Sequence, residues 1–399
     1  MNQQKAYSNG DGKTSGLALI LSAGCFITIM SQIESRLSIV FTLIWISSCL
    51  FLCVKYRHSI TFSNCSFVMI YTGIVLGAYC SACYLLKGEI GYLTGFYILY
   101  LKCLLMYLIG LASGFSKRLS QSSLKKVAAA YVLAAFLYLI WVMLNYFPGF
   151  SVWSSSHEYL YESKNSMGQI CGVAAIILFV GIFYKQRTRA KVFLALGFVA
   201  FAGGILIFQC RTAFIGILLS CVMLLIAFRK KRALVFIAVA LLILVLTYPP
   251  AQGFIQHAFF VDKYSSGSAD AISSGRLTLW SVALECVGGN ELFGLGDYYV
   301  DNLYINLFVN LGAVGTLIFL PVWLQRIVTN FRYRKIDRAQ FGYKAWLGLF
   351  VSAVTVFYIF ESLLEGQPPF GPGACSFLFW MSCGFLDSSF DRFGKSEKQ

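Results

Sequence analysis

The sequence has few charged residues and few histidines for its length. Only 12% of its 399 residues are charged, and only three are histidine. This small charged fraction excludes a soluble enzyme on a single membrane anchor, because soluble domains are about one quarter charged. The histidines (His58, His157 and His257) lie too far apart in sequence to suggest a metal site. The sequence therefore predicts no bound metal and no other cofactor.

Two further patterns are missing. The 13 cysteines are scattered mainly through apolar stretches, and the one C-x-x-C motif, Cys80 to Cys83, has no second pair beside it. Cysteine in such stretches behaves as a small apolar residue, so no redox or metal role is predicted. The chain also has no internal repeat, whereas many transporter folds are built from repeats.

Hydrophobic residues dominate the chain. They make up 58% of it, with a mean hydropathy of +0.72. About 20 apolar residues span a bilayer, and twelve stretches reach or nearly reach that length. They are residues 17–33, 37–54, 66–86, 90–111, 127–147, 167–184, 192–208, 213–228, 234–248, 303–324, 346–364 and 376–386. The sequence predicts an all-α, polytopic membrane helix bundle of about 12 transmembrane helices.

The stretches divide the chain into five segments. We predict an N-terminal tail (1–16), transmembrane helices 1–9 (17–248), a large external loop (249–301), transmembrane helices 10–12 (302–386) and a C-terminal tail (387–399). The first segment is polar, with Lys5 and Lys13 and no short apolar core behind them. It therefore predicts no removable signal peptide.

The distribution of basic residues predicts the orientation. Of the 32 Lys and Arg residues, 25 lie in the two tails and in alternate loops. Positive loops stay in the cytoplasm, so both termini are predicted to be cytoplasmic and loop 249–301 external. The net charge of +15 is then explained by topology, and no nucleic-acid partner is predicted. The basic loops are 55–65, 116–126, 185–191, 229–232 and 325–344.

The large external loop has helical periodicity near its end. Leu277, Trp280, Leu284 and Val287 follow helical spacing, which predicts an amphipathic helix over 276–287 that lies on the membrane or caps the bundle. The loop is therefore expected to be partly helical.

Two outer arginines suggest an anion site. Arg276 lies in the first turn of the predicted helix, where a cation opposes the helix dipole. Its planar donor fork and the backbone N–H groups of the helix start together suit a phosphate group. Arg211 lies in a short outer turn between two spans. The alternatives are a solvated loop arginine for Arg276 and an arginine that snorkels to lipid headgroups for Arg211.

Lys102 lies near the middle of a predicted span. A charge at that depth normally faces a cavity or a partner. Glu361 and Glu365, one turn apart on another span, are its predicted partners.

Several motifs occur in a fixed order between Lys164 and Gly315. They are Asn165-Ser166-Met167-Gly168, Arg211-Thr212-Ala213, Ser274-Gly275-Arg276 with Trp280, Phe293-Gly294-Leu295-Gly296, Asp301-Asn302-Leu303-Tyr304 and Leu311-Gly312-Ala313-Val314-Gly315. In these motifs the chain resembles the superfamily of O-antigen ligases and Wzy-type polysaccharide polymerases.

The resemblance implies a metal-independent glycosyltransferase of the helical GT-C type in the bacterial inner membrane, with its active site facing the periplasm. Its substrate would be an oligosaccharide linked to a polyprenyl diphosphate, for O-antigen or capsule. Membrane lipid and a chain-length regulator protein would be its partners. Ligases of this family carry a histidine before the Asn, whereas this chain has Asp301, which favours a polymerase. The alternatives are an O-antigen ligase that transfers glycan to lipid A-core and a non-enzymatic transporter of lipid-linked oligosaccharide.

The resemblance and the residues together give a predicted site. Arg211 and Arg276 would hold the diphosphate, and Asp301 would act as general base, with Glu162 or Asp297 next in line. The alternative for Asp301 is a helix N-cap. Outer-loop aromatic residues suit sugar stacking, or else form an interfacial aromatic belt. The predicted substrate-binding residues are Lys102, Glu162, Lys164, Asn165, Trp280, Asn302, Tyr304 and Glu361.

Overall fold

The computed structural model of the protein describes residues 16–57, 60, 62–114, 121–155, 160–184, 187–230, 247, 249–259, 270, 275–333, 343–371 and 373–396. All regular secondary structure in these ranges is helical. In chain order the helices are α1 (Gly16–Met30), α2 (Leu37–Tyr56), α3 (Asn64–Lys87), α4 (Gly91–Thr94), α5 (Phe96–Gly114), α6 (Gln121–Tyr146), α7 (Phe150–Ser155), α8 (Lys164–Tyr184), α9 (Thr188–Ile207), α10 (Arg211–Ala227), α11 (Pro249–Ala258), α12 (Arg276–Cys286), α13 (Leu303–Tyr333), α14 (Tyr343–Leu364) and α15 (Gly373–Ser396).

The described residues form a helical bundle of the multi-pass membrane type. Eight helices are long and apolar enough to cross a membrane, and α1 and α10 are shorter apolar helices. Eleven of the twelve predicted stretches overlap a helix. The ninth, 234–248, lies almost wholly outside the described residues.

Small residues allow three helices to cross closely in the core. On α8 and α10, Gly172 and Gly216 face the ring of Phe357 from α14, and a Cβ atom on either glycine would lie 2.7 Å from that ring. Close helix contacts in membrane bundles commonly use such residues. Since α8 and α10 begin and α14 ends on the same side, Lys164, Arg211 and Glu365 are brought to one end of the bundle.

Helix α13 covers the predicted span 303–324, but it has a kink at Gly312. Gly312 has a non-helical backbone with φ of 63°. The segment before α13 packs into the break: the N–H of Ala313 donates to the carbonyl of Glu291 at 2.8 Å, and the N–H of Leu295 donates to the carbonyl of Val309 at 2.8 Å. Backbone groups that the break exposes are satisfied by this segment.

Helix α12 is confirmed, but only part of its predicted buried face is. Ala283 and Val287 are buried against Val300 and Val309, with Trp280 half-buried beside them. Leu277 and Leu284, which were predicted to lie on the same face, are exposed. The residues that pack against α12 therefore cover a narrower stripe of its surface than the helical spacing predicts.

Two residues predicted to lie in a cytoplasmic loop and tail are buried instead. Arg326 is 0% exposed and donates to the carboxylate of Asp387 at 2.9 Å. The hydroxyls of Tyr107 and Tyr333 donate to the same carboxylate. Helix α13 continues nine residues beyond the predicted end of its span, and α15 runs on to Ser396, so these polar groups meet inside the bundle.

Candidate functional site

A charged cluster lies at the end of the bundle where α8, α12 and α13 begin. We define the Arg276 cluster as Lys164, Asn165, Arg276, Asp301 and Glu365. The Nη2 atom of Arg276 lies 3.1 Å from Oε1 of Glu365, and its Nε atom lies 3.8 Å from Oδ2 of Asp301. Asn165 donates to the other Glu365 oxygen at 3.0 Å. One guanidinium therefore joins two carboxylates that lie far apart in the chain.

The members of the cluster differ in exposure. The Glu365 side chain is 5% exposed, that of Arg276 16% and that of Asp301 30%. Asp301 is thus the most accessible of these three side chains, and Glu365 is the most buried.

Two further cations belong to this region. Lys164 interacts electrostatically with Arg211, Glu365 and Arg276. The Cys210 thiol donates to the carbonyl of Lys164 at 3.1 Å, which places the start of α10 against the start of α8. Arg211 itself donates to the carbonyl of Phe259 at 3.4 Å. Three cations and two carboxylates therefore share one end of the bundle.

Burial perturbs the acidity of Glu365. Loss of water around its carboxylate raises its pKa to about 7, with the Asp301 charge acting in the same direction. Arg276, Asn165 and Lys164 oppose the rise. Desolvation is the largest cause, because it penalises the ionised form more than the nearby cations favour it.

Three asparagines one turn apart, Asn302 just before α13 and Asn306 and Asn310 within it, hold the backbone around the two carboxylates. Asn306 accepts the N–H of Val300 at 3.2 Å and donates to the carbonyl of Gly366 at 2.9 Å. Val300 directly precedes Asp301, and Gly366 directly follows Glu365. Asn306 therefore fixes the backbone next to each acid. The other two asparagines hold the ends of segment 298–302: Asn310 accepts the N–H of Tyr298, and Asn302 donates to the carbonyl of Leu363. These three asparagines were not predicted to be site residues together, although their i, i+4, i+8 spacing can be read from the sequence.

The N-cap of α13 is Asn302, not Asp301. The Asn302 side-chain oxygen accepts the N–H groups of Tyr304 and Ile305 at 3.0 and 3.1 Å. Its amide donates to the carbonyl of Leu363 at 2.9 Å. The helix-cap interpretation of Asp301 is thereby excluded, and its carboxylate faces Arg276. The predicted binding residue Asn302 is instead 8% exposed and committed to backbone contacts.

The predicted anion site at the start of α12 is partly filled. The Asp270 carboxylate accepts the N–H of Thr278 at 3.0 Å and its hydroxyl at 2.8 Å. An internal anion thus takes one of the donors expected for phosphate, because a helix start favours any nearby carboxylate. The Arg276 side chain remains part of the candidate site through its own contacts.

Four other predicted residues lie outside the Arg276 cluster. The Trp280 indole donates to the carbonyl of Asp301 at 3.3 Å, so it holds the backbone of Asp301 and not its carboxylate. Tyr304 hydrogen-bonds Ser362 at 3.2 Å. Glu162 is exposed, and Glu361 is 1% exposed and accepts from Gln169 at 3.3 Å.

The predicted contact of Lys102 with Glu361 or Glu365 is wrong. Lys102 is exposed and lines a cleft with Trp45 and Phe377. Among the described residues it forms no ion pair. Glu361 instead accepts from Gln169, and Glu365 pairs with Arg276. It therefore does not contribute to the cluster.

Comparisons with known proteins give no family assignment. A scan against models of protein families found no match, and a search of curated proteins found none either. Within the described residues, no group of three or more His, Cys, Asp or Glu side chains is arranged to hold a metal ion.

Two glycine-containing segments, 293–296 and 311–315, lie against each other in space. Gly294 and Gly312 both have positive φ, and a Cβ atom on either would collide with backbone of the other segment. Their glycines are required by this close approach.

Proposed function

We propose that the protein is a polysaccharide polymerase. It would be an integral-membrane glycosyltransferase of the GT-C type, with about 12 spans, that joins polyprenyl-diphosphate-linked oligosaccharide repeat units of O-antigen or capsule at the periplasmic face of the bacterial inner membrane. The observation that supports this most is the pairing of Arg276 with two carboxylates at one end of an apolar bundle, with Lys164 and Arg211 nearby. The motif resemblance supports it independently.

The cations suit the leaving group. When the sugar leaves its carrier, the bridging oxygen of the diphosphate gains negative charge, and preorganised donors stabilise that charge at low dielectric. Arg276 offers a planar fork for phosphate oxygens. Lys164 and Arg211 supply two further positive charges beside it.

The carboxylates suit the acceptor. The hydroxyl of the next repeat unit attacks the anomeric carbon, the bond from that carbon to the diphosphate breaks, and the hydroxyl proton must be removed. Asp301 and Glu365, the two acids on Arg276, are the groups available for this proton. The products are a lengthened glycan and a free lipid diphosphate.

The ligase is the second candidate, because it would use the same donor and the same cations. The two functions differ in their acceptor, which is another lipid-linked repeat for the polymerase and lipid A-core for the ligase. Asp301 in place of the ligase histidine supports the polymerase.

Deletion of the gene in its host tests the proposal through the glycan profile. For a polymerase we expect long chains to disappear while single repeat units are still attached. Loss of all capped lipid A-core, with accumulation of lipid-linked polymer, would indicate the ligase. An unchanged profile would contradict both functions.

A further inference from the structure

We propose that Glu365 accepts the proton of the attacking sugar hydroxyl, and that Asp301 is a positioning residue that holds Arg276. This assignment rests on the proposed function. It differs from the sequence-based hypothesis, in which Asp301 is the general base.

The first argument is how firmly each acid is held. Donors from two different helices fix the two Glu365 oxygens, with Arg276 on Oε1 at 3.1 Å and Asn165 on Oε2 at 3.0 Å. The remaining lone pairs therefore have set directions, which proton transfer requires. The Asp301 carboxylate lies farther from the guanidinium, at 3.8 Å, and is more exposed to solvent.

The second argument is proton affinity. A general base works best when its pKa lies near the working pH, because an ordinary carboxylate, with a pKa of about 4, is too weakly basic to drive the transfer. Burial raises the pKa of Glu365 to about 7. The titratable and charged groups that face it are Lys164 from α8, Cys210 from the start of α10, Arg276 from α12, Tyr299 and Asp301 from the segment before α13, and Glu361 from α14.

The third argument links proton transfer to the leaving group. Before reaction, the Arg276 guanidinium is partly neutralised by its contact with Glu365. When Glu365 takes the proton, it loses its negative charge, so the positive charge of Arg276 is no longer neutralised by it and acts in full on the departing diphosphate. The acid closest to the guanidinium therefore releases the most stabilisation at the moment when charge develops on the phosphate.

The whole step balances without a co-reactant. The acceptor O–H bond breaks and its proton moves to Glu365, while the oxygen forms a bond to the anomeric carbon. The electron pair of the broken carbon–oxygen bond stays on the diphosphate, next to Arg276. Glu365 then returns its proton to the released diphosphate or to water.

The test compares Glu365→Gln and Asp301→Asn with the wild-type protein, purified and supplied with lipid-linked repeat units over a range of pH. The wild-type rate should rise as the pH increases through about 7, since Glu365 must be ionised to accept a proton. Glu365→Gln should lose about 100- to 10,000-fold in kcat and should no longer show this rise. It should still bind polyprenyl diphosphate, because Arg276, Lys164 and Arg211 are unchanged. Asp301→Asn should be slower and should keep the rise, shifted to lower pH, because the Asp301 charge that helps to raise the pKa of Glu365 is gone.

Two further variants make the outcome decisive. Glu285→Gln makes the same substitution at an exposed position of α12, and wild-type kinetics are expected. Glu365→Asp keeps a carboxylate, so a low rate that still rises with pH separates lost chemistry from a misfolded Glu365→Gln protein.

Two results would overturn the assignment: a wild-type rate for Glu365→Gln, or complete loss of the pH-dependent rise in Asp301→Asn alone. If the wild-type protein itself joins no lipid-linked repeats, the proposed function fails, and the assignment fails with it. Joining by wild type and by Glu365→Gln alike would refute only the assignment.

Discussion

Replacement of Asn306 by alanine should loosen both acids of the candidate site at once. The Asn306 side chain is 3% exposed and connects the segment that carries Asp301 to the residue that follows Glu365. The change removes an acceptor for the N–H of Val300 and a donor for the carbonyl of Gly366. No other residue of α13 makes this pair of contacts.

The size of the effect follows from the groups left behind. A buried polar group that loses its partner costs about 1 to 3 kcal/mol. Two such groups, the Val300 N–H and the Gly366 carbonyl, give a loss of about 2 to 6 kcal/mol in the free energy of unfolding. For activity, displacement of a catalytic group by about 1 Å lowers the rate about 100-fold.

The assay measures stability and activity on the same preparation. Asn306→Ala protein in detergent is unfolded by heat or denaturant beside the wild type, and its rate of joining lipid-linked repeats is then determined. Asn145→Ala is the matched control, because Asn145 is exposed and its side chain bonds only within its own helix. The control should retain both properties.

The reasoning would be refuted by an Asn306→Ala protein as stable and as active as the wild type. A protein with lower stability but full activity would refute the positioning role and leave only the structural one. Loss of both properties in the Asn145 control as well would show that the assay does not report on the site.

Two other changes test the charged groups. Arg276→Lys should lower kcat/KM about 30- to 1,000-fold, which corresponds to about 2 to 4 kcal/mol of transition-state stabilisation, because one ammonium cannot replace the planar fork between Asp301 and Glu365. Full-length polymer at the wild-type kcat/KM would contradict this role. Asp387→Asn should destabilise the bundle by about 3 to 5 kcal/mol, because Arg326 would stay buried without a carboxylate. Adding Arg326→Met to Asp387→Asn should recover part of that loss in denaturant unfolding, because no unpaired guanidinium remains and the asparagine oxygen still accepts from Tyr107 and Tyr333. An Asp387→Asn variant as stable as the wild type would rule out the pair as a stabilising element.

The sequence by itself determined the features that depend on local composition. A stretch of about 20 apolar residues forms a helix in a bilayer whatever its neighbours are, because its backbone groups have no other partners there. Eleven of the predicted stretches accordingly overlap helices. The helix that begins at Arg276 was also predictable, since its spacing and the preceding Gly275 are properties of the segment alone.

Other features were decided only by tertiary structure. Glu365 was predicted to be a partner of Lys102, yet it pairs with Arg276, which lies 89 residues away in sequence. Helix spacing shows which face is apolar but not which helix covers it. In this bundle the choice depends on small residues such as Gly172 and Gly216, which bring α8 and α10 against α14.

The same limit applies to the chemistry of each polar group. The sequence placed Asp301 and Asn302 side by side at a helix start, and either residue type caps a helix well. Only the position of Arg276 decided that Asn302 caps while Asp301 forms an ion pair. Likewise, Arg326 and Asp387 were predicted to lie in a cytoplasmic loop and tail, but packing buries both. Desolvation depends on all the neighbours of a group, and those neighbours come from the whole fold.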